Sequence, residues 1–355
     1  MTRVLAAVVA IGLGFLGFEV FRFLSAGPGK AEEQAIFEVP AGVPFQKIAK
    51  QLQESGLILD AYKFRILAKI TGQDGRVKRG EYALNRAMTP QEILGVLVSG
   101  KSIQYPITFP EGFNTYEMAA LIESKGLYKA QDFLDAVRDK ELIRALLGIE
   151  VSSLEGYLFP ETYNVTKFTP LRELIAAMVQ NFKTTYEHLQ NQLGEPASAL
   201  PRHELVTLAS IVEKETGAPE ERSLIASVFY NRLNKNMRLQ SDPTIIYGIW
   251  VETGKYKENI TKEDILSPTR YNTYVVPRLP FGPISNPGRE SLAAVIKPAT
   301  SDFLYFVSRN DGTHIFTRTY EDHTRAVQSF QLNPAARAGK SWRDLSKPAG
   351  ETVTN

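Results

Sequence analysis

The residues best suited to chemistry in this chain are carboxylates on one stretch, His203-Glu204-Leu205-Val206-Thr207-Leu208-Ala209-Ser210-Ile211-Val212-Glu213-Lys214-Glu215-Thr216-Gly217. Leu205, Leu208, Ala209 and Val212 recur at helical spacing and make one apolar stripe. On a wheel of about 100° per residue, Glu213 falls roughly 90° from the stripe's centre, at the border of buried and exposed. It lies in the last turn before Gly217, the expected C-terminal cap. The negative end of the helix dipole and partial burial both disfavour a carboxylate there and favour the acid, the form that protonates a leaving group. Glu215 takes the opposite border and shares the dipole argument. Taken alone, either is more readily a residue on a solvated helix edge.

Other routes to catalysis are missing. The four histidines, His188, His203, His314 and His323, are scattered without a His-x-x-x-His pair, so no metal and no cofactor is expected. There is no Gly-x-Ser-x-Gly elbow, phosphate loop or dinucleotide fingerprint, and the absence of cysteine excludes disulfides and a thiolate nucleophile. Carboxylate acid–base work remains. Around the candidate helix the sequence is rich in aromatic and amide groups: Leu154-Glu155-Gly156-Tyr157-Leu158-Phe159-Pro160-Glu161-Thr162-Tyr163, then Tyr230-Asn231-Arg232, Met237 to Gly248 with Gln240, Asp242 and Tyr247, Tyr271 to Tyr274, and Gly282 to Gly288. Aromatic faces stack on sugar rings, and Asn, Gln and Asp bond hydroxyls. Singly, each aromatic is more readily a core residue.

These groups need elements to hold them. Ile36 to Pro40 reads as a strand, followed by a helix with Phe45, Ile48, Ala49 and Leu52 on one side and a stop at Gly56. A second helix is predicted near Ala61 to Ile70, a return strand near Lys78 to Leu84, and a helix from Thr89-Pro90 to Gly100. An internal repeat appears at a spacing of 70 residues: Pro40, Gly42, Ile48, Ala49, Leu52, Gly56 and Leu57 match Pro110, Gly112, Met118, Ala119, Ile122, Gly126 and Leu127. Either a strand–helix unit recurs for packing, or the first copy, with its strand–helix–helix–strand order, is a glycan-binding LysM-like unit. Further helices are predicted at roughly 115–147, 168–193, 202–216 and 219–235. Phe303 to Ser308 and His314 to Thr317 flank Asn310-Asp311-Gly312 as a hairpin. The fold class is α+β, mainly helical with small sheets. The expected divisions are an anchor at 1–24, a linker at 25–35, a LysM-like subdomain at 36–104, a catalytic domain at 105–335 and a tail at 336–355.

Hydrophobic residues are 43% and charged residues 23%, ordinary for a folded, water-soluble body, and 41 basic against 39 acidic side chains exclude a basic nucleic-acid-binding face. Val4 to Phe18 carries no charge, follows Arg3, and is interrupted by Glu19 and Arg22. A span needs about 20 apolar residues, so this segment crosses only if Glu19 and Arg22 sit at the far interface. An uncleaved signal anchor is expected, with cleavage near Ser25-Ala26-Gly27 as the alternative. Either way the bulk of the chain is exported.

The strings LEGYLFPETY (154–163), ASIVEKET (209–216), VFYNRL (228–233), RLQSDPTIIYG (238–248), NTY (272–274) and GPISNPG (282–288) resemble, in order and spacing, the endolytic murein transglycosylase (YceG-like) family. That resemblance implies a membrane-anchored lytic enzyme of the bacterial cytoplasmic membrane, facing the periplasmic side. Its chemistry would be cleavage of the MurNAc-β-1,4-GlcNAc bond within peptidoglycan strands. The sugar's own 6-hydroxyl replaces water and leaves a 1,6-anhydro end. The family's catalytic Glu falls on Glu213. Asn231, Gln240 and Tyr247 are expected to contact the glycan, and Asp242, Glu155 and Glu161 to help position it, with Glu215 structural. Cell-wall synthases are the implied partners and ending strand elongation the implied role. A hydrolase leaving reducing ends, or a non-catalytic glycan-binding scaffold, stands as the alternative.

Overall fold

A computed structural model describes residues 2–30, 34–215 and 218–333. The helix cap expected at Gly217 and the tail at 336–355 lie outside the described residues. The chain forms two units: Met1–Ile107 with Asn164–Pro170, and Thr108–Tyr163 with Leu171–Asn355.

The first unit contains α1 (Thr2–Ser25), β1 (Gln34–Val39), α2 (Phe45–Glu54), α3 (Ala61–Ile70), β2 (Gly80–Asn85) and α4 (Pro90–Ser99). Local chemistry sets these boundaries. The Asp60 side chain accepts the Lys63 N–H at the start of α3, and Thr89 and Glu92 form a reciprocal capping box on α4, which ends at left-handed Gly100. β1 and β2 pair antiparallel from Gln34↔Asn85 to Val39↔Gly80. Their inner faces meet α2, α3 and α4 in a core that includes Phe37, Leu52, Phe64, Tyr82 and Leu97. Phe23 of α1 is buried in that core, while Ile11, Leu13, Phe15 and Phe18 are exposed. Among the described residues no helix is long and apolar enough to cross a membrane.

The chain continues with β3 (Tyr105–Thr108), α5 (Thr115–Ser124), α6 (Ala130–Ala136), α7 (Lys140–Leu147), β4 (Thr162–Val165), α8 (Leu171–Leu193), α9 (Arg202–Glu215), α10 (Arg222–Asn234), α11 (Asp242–Thr253), α12 (Lys262–Ile265), α13 (Arg289–Ile296), β5 (Tyr305–Ser308), β6 (His314–Thr317) and α14 (Tyr320–Val327). The division between units falls inside β3 and β4. β5 and β6 form the expected hairpin, with Asn310 and Gly312 at positive φ in its turn. Mixed helices with small antiparallel sheets agree with the α+β reading.

The repeat is structural. Gly42 and Gly112 take φ of 73° and 75°, and Gly56 and Gly126 take 67° and 68°. Ile48, Ala49 and Leu52 are buried on α2 as Met118, Ala119 and Ile122 are on α5. Left-handed backbone favours glycine before and after each helix.

α9 departs from its expected amphipathic pattern: every residue from Leu205 to Val212 is buried. The two polar members are tolerated because they bond the helix's own carbonyls, Thr207 Oγ1 to His203 O at 2.8 Å and Ser210 Oγ to Thr207 O at 2.7 Å. Phe182 and Tyr186 of α8, Ile225 and Phe229 of α10 and Leu292 and Val295 of α13 share its core. A central helix surrounded on all sides gives its last turn a rigid footing.

Candidate active site

Glu213 leaves that last turn with its side chain only 6% exposed, more deeply buried than the border position expected of it. Its Oε2 accepts the Gly288 N–H at 2.9 Å. Arg222 Nη2 stands 3.7 Å from Oε1, within ion-pair range but beyond hydrogen bonding. The segment that delivers Gly288 runs along α9: Ile284 N–H donates to Ser210 Oγ at 3.0 Å and Ser285 Oγ donates to Ser210 O at 3.1 Å. Ser210 and Glu213 are three residues apart, on one side of the helix, so the loop is bonded at both points.

A second segment, Pro110-Glu111-Gly112, closes on the acid from the other repeat turn. A Cβ on Gly112 would stand 3.4 Å from Glu213 Cγ, and the Gly112 carbonyl accepts Lys214 Nζ at 3.2 Å. A Cβ on Gly288 would land on the Glu111 carboxyl. Gly288 therefore has Glu213 on its N–H and Glu111 against its α-carbon. Glu111 is exposed at the rim. Its titration is pushed above the ordinary carboxylate range by desolvation first and the Glu213 charge second, with Arg222 opposing and Glu290 adding. Arg222 Nε is buried with no hydrogen-bond partner.

Electrostatic reciprocity makes this triad testable. Glu213→Gln removes a like charge and brings the Glu111 midpoint down toward its ordinary value. Arg222→Met removes a stabilising cation and moves that midpoint further up. Carboxyl 13C NMR of Glu111 across pH reads both. A midpoint indifferent to both substitutions overturns the coupling.

The other carboxylates have different work. Glu155 is 3% exposed. Its Oε2 accepts Thr115 N–H at 2.9 Å, Thr115 Oγ1 at 2.8 Å and Tyr247 Oη at 2.9 Å, and its Oε1 accepts Asn286 Nδ2 at 2.8 Å. Burial pushes Glu155 up to about 7 against those donors, and desolvation raises the Tyr247 phenol well above its usual value. Glu155 and Tyr247, expected at the glycan, are joined in this internal network, and Tyr247 also lines the cavity described below. Asn286 completes the network: Oδ1 accepts the N–H groups of Gly156 at 2.8 Å and Leu158 at 3.0 Å, and Nδ2 also donates to Phe113 O at 3.0 Å.

Asn231 Nδ2 donates to the carbonyls of Ser301 and Phe303, both at 2.9 Å, and ties α10 to that loop. Glu215 accepts Ser241 Oγ at 2.5 Å, and burial pushes it up to about 7, with Asp242 adding and Arg232 opposing. Asp242 is exposed and accepts Tyr274 Oη at 2.7 Å. Gln240 is exposed, on left-handed backbone with φ of 50°. Glu161 is exposed and its bonds go to Thr162 N–H and, through its carbonyl, Phe109 N–H, none of them around Glu213.

Beside Lys214 opens a cavity of about 390 Å³ whose wall includes Asn114, Tyr247, Trp250, Tyr256 and Glu258. Tyr116 stacks on Trp250 at 5.0 Å and 20°, and Tyr256 meets Trp250 at 5.1 Å and 62°. The rings are braced, as a platform for a sugar face requires. Sequence reasoning missed Glu111, Arg222 and Trp250. The available signals were the acid at the centre of the second Pro-x-Gly turn, where the first has Ala41, and an indole one helical turn beyond Tyr247. Among the described residues no cluster of His, Cys, Asp and Glu could hold a metal ion. What the geometry offers is a shielded carboxyl on the last turn of α9, one residue before the Lys214 that lines an aromatic-walled cavity.

Comparison with known proteins points the same way. The profile of the YceG-like family matches residues 37–329. A relative from Bacillus subtilis (strain 168), described as an endolytic murein transglycosylase, is 32% identical over 307 residues, covering 82% of this chain and 83% of its own. One of the same description from Streptococcus pneumoniae serotype 2 is 31% identical over 360 residues, covering 91% of this chain and 63% of its own. A crystal structure of a yceG-like protein from Listeria monocytogenes aligns with a TM-score of 0.55 at 31% identity, over 83% of this chain and 99% of that one.

Proposed function

We propose, from the premise that the chain belongs to the YceG-like family, a reaction centred on Glu213. The protein is an endolytic murein transglycosylase, a lyase that cuts the MurNAc-β-1,4-GlcNAc bond inside peptidoglycan strands and leaves 1,6-anhydroMurNAc ends. The observation that carries the site assignment is the nearly buried Glu213 carboxyl, held by the Gly288 N–H at the matching position of ASIVEKE.

Protonated Glu213 gives its proton to O4 of the departing GlcNAc as the C1–O4 bond breaks. The MurNAc 6-hydroxyl oxygen then bonds to C1, and its proton passes to the Glu213 carboxylate. The acid is regenerated, no water is consumed, and one carboxyl serves both transfers, unlike the paired carboxylates of hydrolytic glycosidases. Glu111 and Arg222 set the charge around that carboxyl, and Trp250 with Tyr256 stacks a sugar ring. The first unit acts as a LysM-like glycan-binding module. α1 anchors the chain in the cytoplasmic membrane with the second unit outside. Working near the membrane places the enzyme beside peptidoglycan synthases, where its cuts end strand elongation.

The test is mass spectrometry of the fragments released from polymeric glycan by the full-length enzyme. Anhydro-ended fragments are expected. Reducing ends assign a hydrolase and call for a water-activating second carboxylate, for which Glu111, set against Gly288, is the candidate.

A further inference from the structure

The outward face of α3 carries a feature that the glycan chemistry does not use. α3 turns Phe64 and Ala68 into the core of the first unit. Its opposite side presents Tyr62 (68% exposed), Ile66 (41%) and Ile70 (81%), with Leu59 (48%) just ahead of the helix. A repeat of four residues puts 62, 66 and 70 in one stripe along the helix. Lys63, Arg65 and Lys69 edge that stripe, and α3 contains no acidic residue. Asp60 precedes it and is engaged in capping, its Oδ1 accepting the Lys63 N–H at 2.9 Å. Large apolar side chains gathered on one exposed face mark a contact surface. A stripe bordered by Lys and Arg is the pattern of a helix lying in a lipid–water interface.

The end of α1 supplies an independent observation. Ile11, Leu13, Phe15, Phe18, Phe21 and Leu24 are all exposed. Lys63 Nζ donates to Glu19 Oε2 at 3.2 Å, and Arg22 Nη1 stands 3.9 Å from Glu19 Oε1. This charged collar ties the C-terminal part of α1 to the first turn of α3. The exposed apolar surface of α1 and the α3 stripe therefore belong to one body and adjoin at groups suited to a headgroup layer.

We propose that α3 is an interfacial foot on an anionic lipid surface, with Tyr62, Ile66 and Ile70 at the acyl-chain boundary and Lys63, Arg65 and Lys69 among the headgroups. The inference rests on the reading of α1 as a membrane anchor, and the experiment separates the two. The chain has no cysteine, so Leu13→Cys and Ile66→Cys each give one labelling site on the full-length protein. Ile70→Cys repeats the measurement should Ile66→Cys fold poorly.

A spin label at each site is read in vesicles of phosphatidylcholine with and without phosphatidylglycerol, against oxygen as lipid-phase quencher and a nickel chelate as aqueous one. On anionic vesicles both labels are expected on the lipid side. Arg65→Gln with Lys69→Gln weakens the contact at 66 by about fivefold per charge removed and leaves the label at 13 unchanged. A label at 13 in lipid with one at 66 in water overturns the foot and keeps the anchor. The reverse keeps the foot and overturns the anchor, and both labels in water overturn both. A label at 66 shielded from either quencher means that a protein covers the stripe, which overturns the lipid assignment.

Discussion

Glu213→Gln abolishes strand cleavage and leaves the fold intact. The amide oxygen keeps the Gly288 N–H bond made at 2.9 Å, and the new NH2 group faces Arg222 across 3.7 Å, too far for a donor–donor clash. The side chain keeps its shape, so thermal melting is expected within about 1 kcal/mol of wild type. The chemistry does not survive, because an amide neither gives nor takes the proton. General acid–base catalysis contributes about 10²- to 10⁴-fold. One carboxyl serving both transfers puts the loss at the upper end of that range. Glu213→Asp keeps the acid but withdraws it by one methylene, and a displacement of about 1 Å costs roughly 10²-fold. Both are read as the yield of anhydro-ended fragments, with melting curves alongside. Cleavage by the Gln variant at the wild-type rate would remove Glu213 from the mechanism.

Asn286→Ala is expected to give the largest loss of stability of any single side chain discussed here. One amide answers two backbone donors, Gly156 and Leu158, and two acceptors, Phe113 O and Glu155 Oε1, on segments more than a hundred residues away. Asn286 is fully buried, so no water replaces it without opening the structure. Each buried group left unpaired costs about 1–3 kcal/mol, and more for a charged one. Phe113 O keeps the Asn286 backbone N–H at 2.9 Å, so three groups are orphaned and the sum is about 3–9 kcal/mol, a fall in melting temperature of roughly 10 °C or more for a unit of this size. Asn286→Asp retains the acceptor for Gly156 and Leu158 but sets a second carboxylate against Glu155, so it is expected to rescue little. A melting curve for Asn286→Ala that overlays wild type would show the network to be dispensable.

The legible part of the sequence was the part governed by local rules. The 61–70 helix, the helix opening at Thr89-Pro90, the hairpin around Asn310 and the glycine turns of the repeat follow from spacing and backbone preference, and they appear where those rules put them. Glu213 was singled out through its helix, and that helix is buried from Leu205 to Val212. What local pattern could not show is which polar groups meet across the fold. That Tyr247 and Glu155 bond to each other across 92 residues is invisible in the sequence. Glu111 looks like a turn residue until Gly288 is seen between it and Glu213. Arg222 follows directly after the three-residue turn Pro219–Glu221, and only the packing of α10 on α9 brings it to the acid.

The sequence order of the site has a consequence for the timing of its activity. Synthesis runs from the N-terminus, and domains fold as their last required segment arrives. Glu111, Glu155 and Glu213 all precede the 282–288 loop that holds two of them. Until Asn286 and Gly288 emerge, Glu155 lacks its amide partner and Glu213 lacks the N–H that orients it. On the proposed mechanism, a fragment ending before Gly288 is therefore expected to release no anhydro-ended fragments from polymeric glycan.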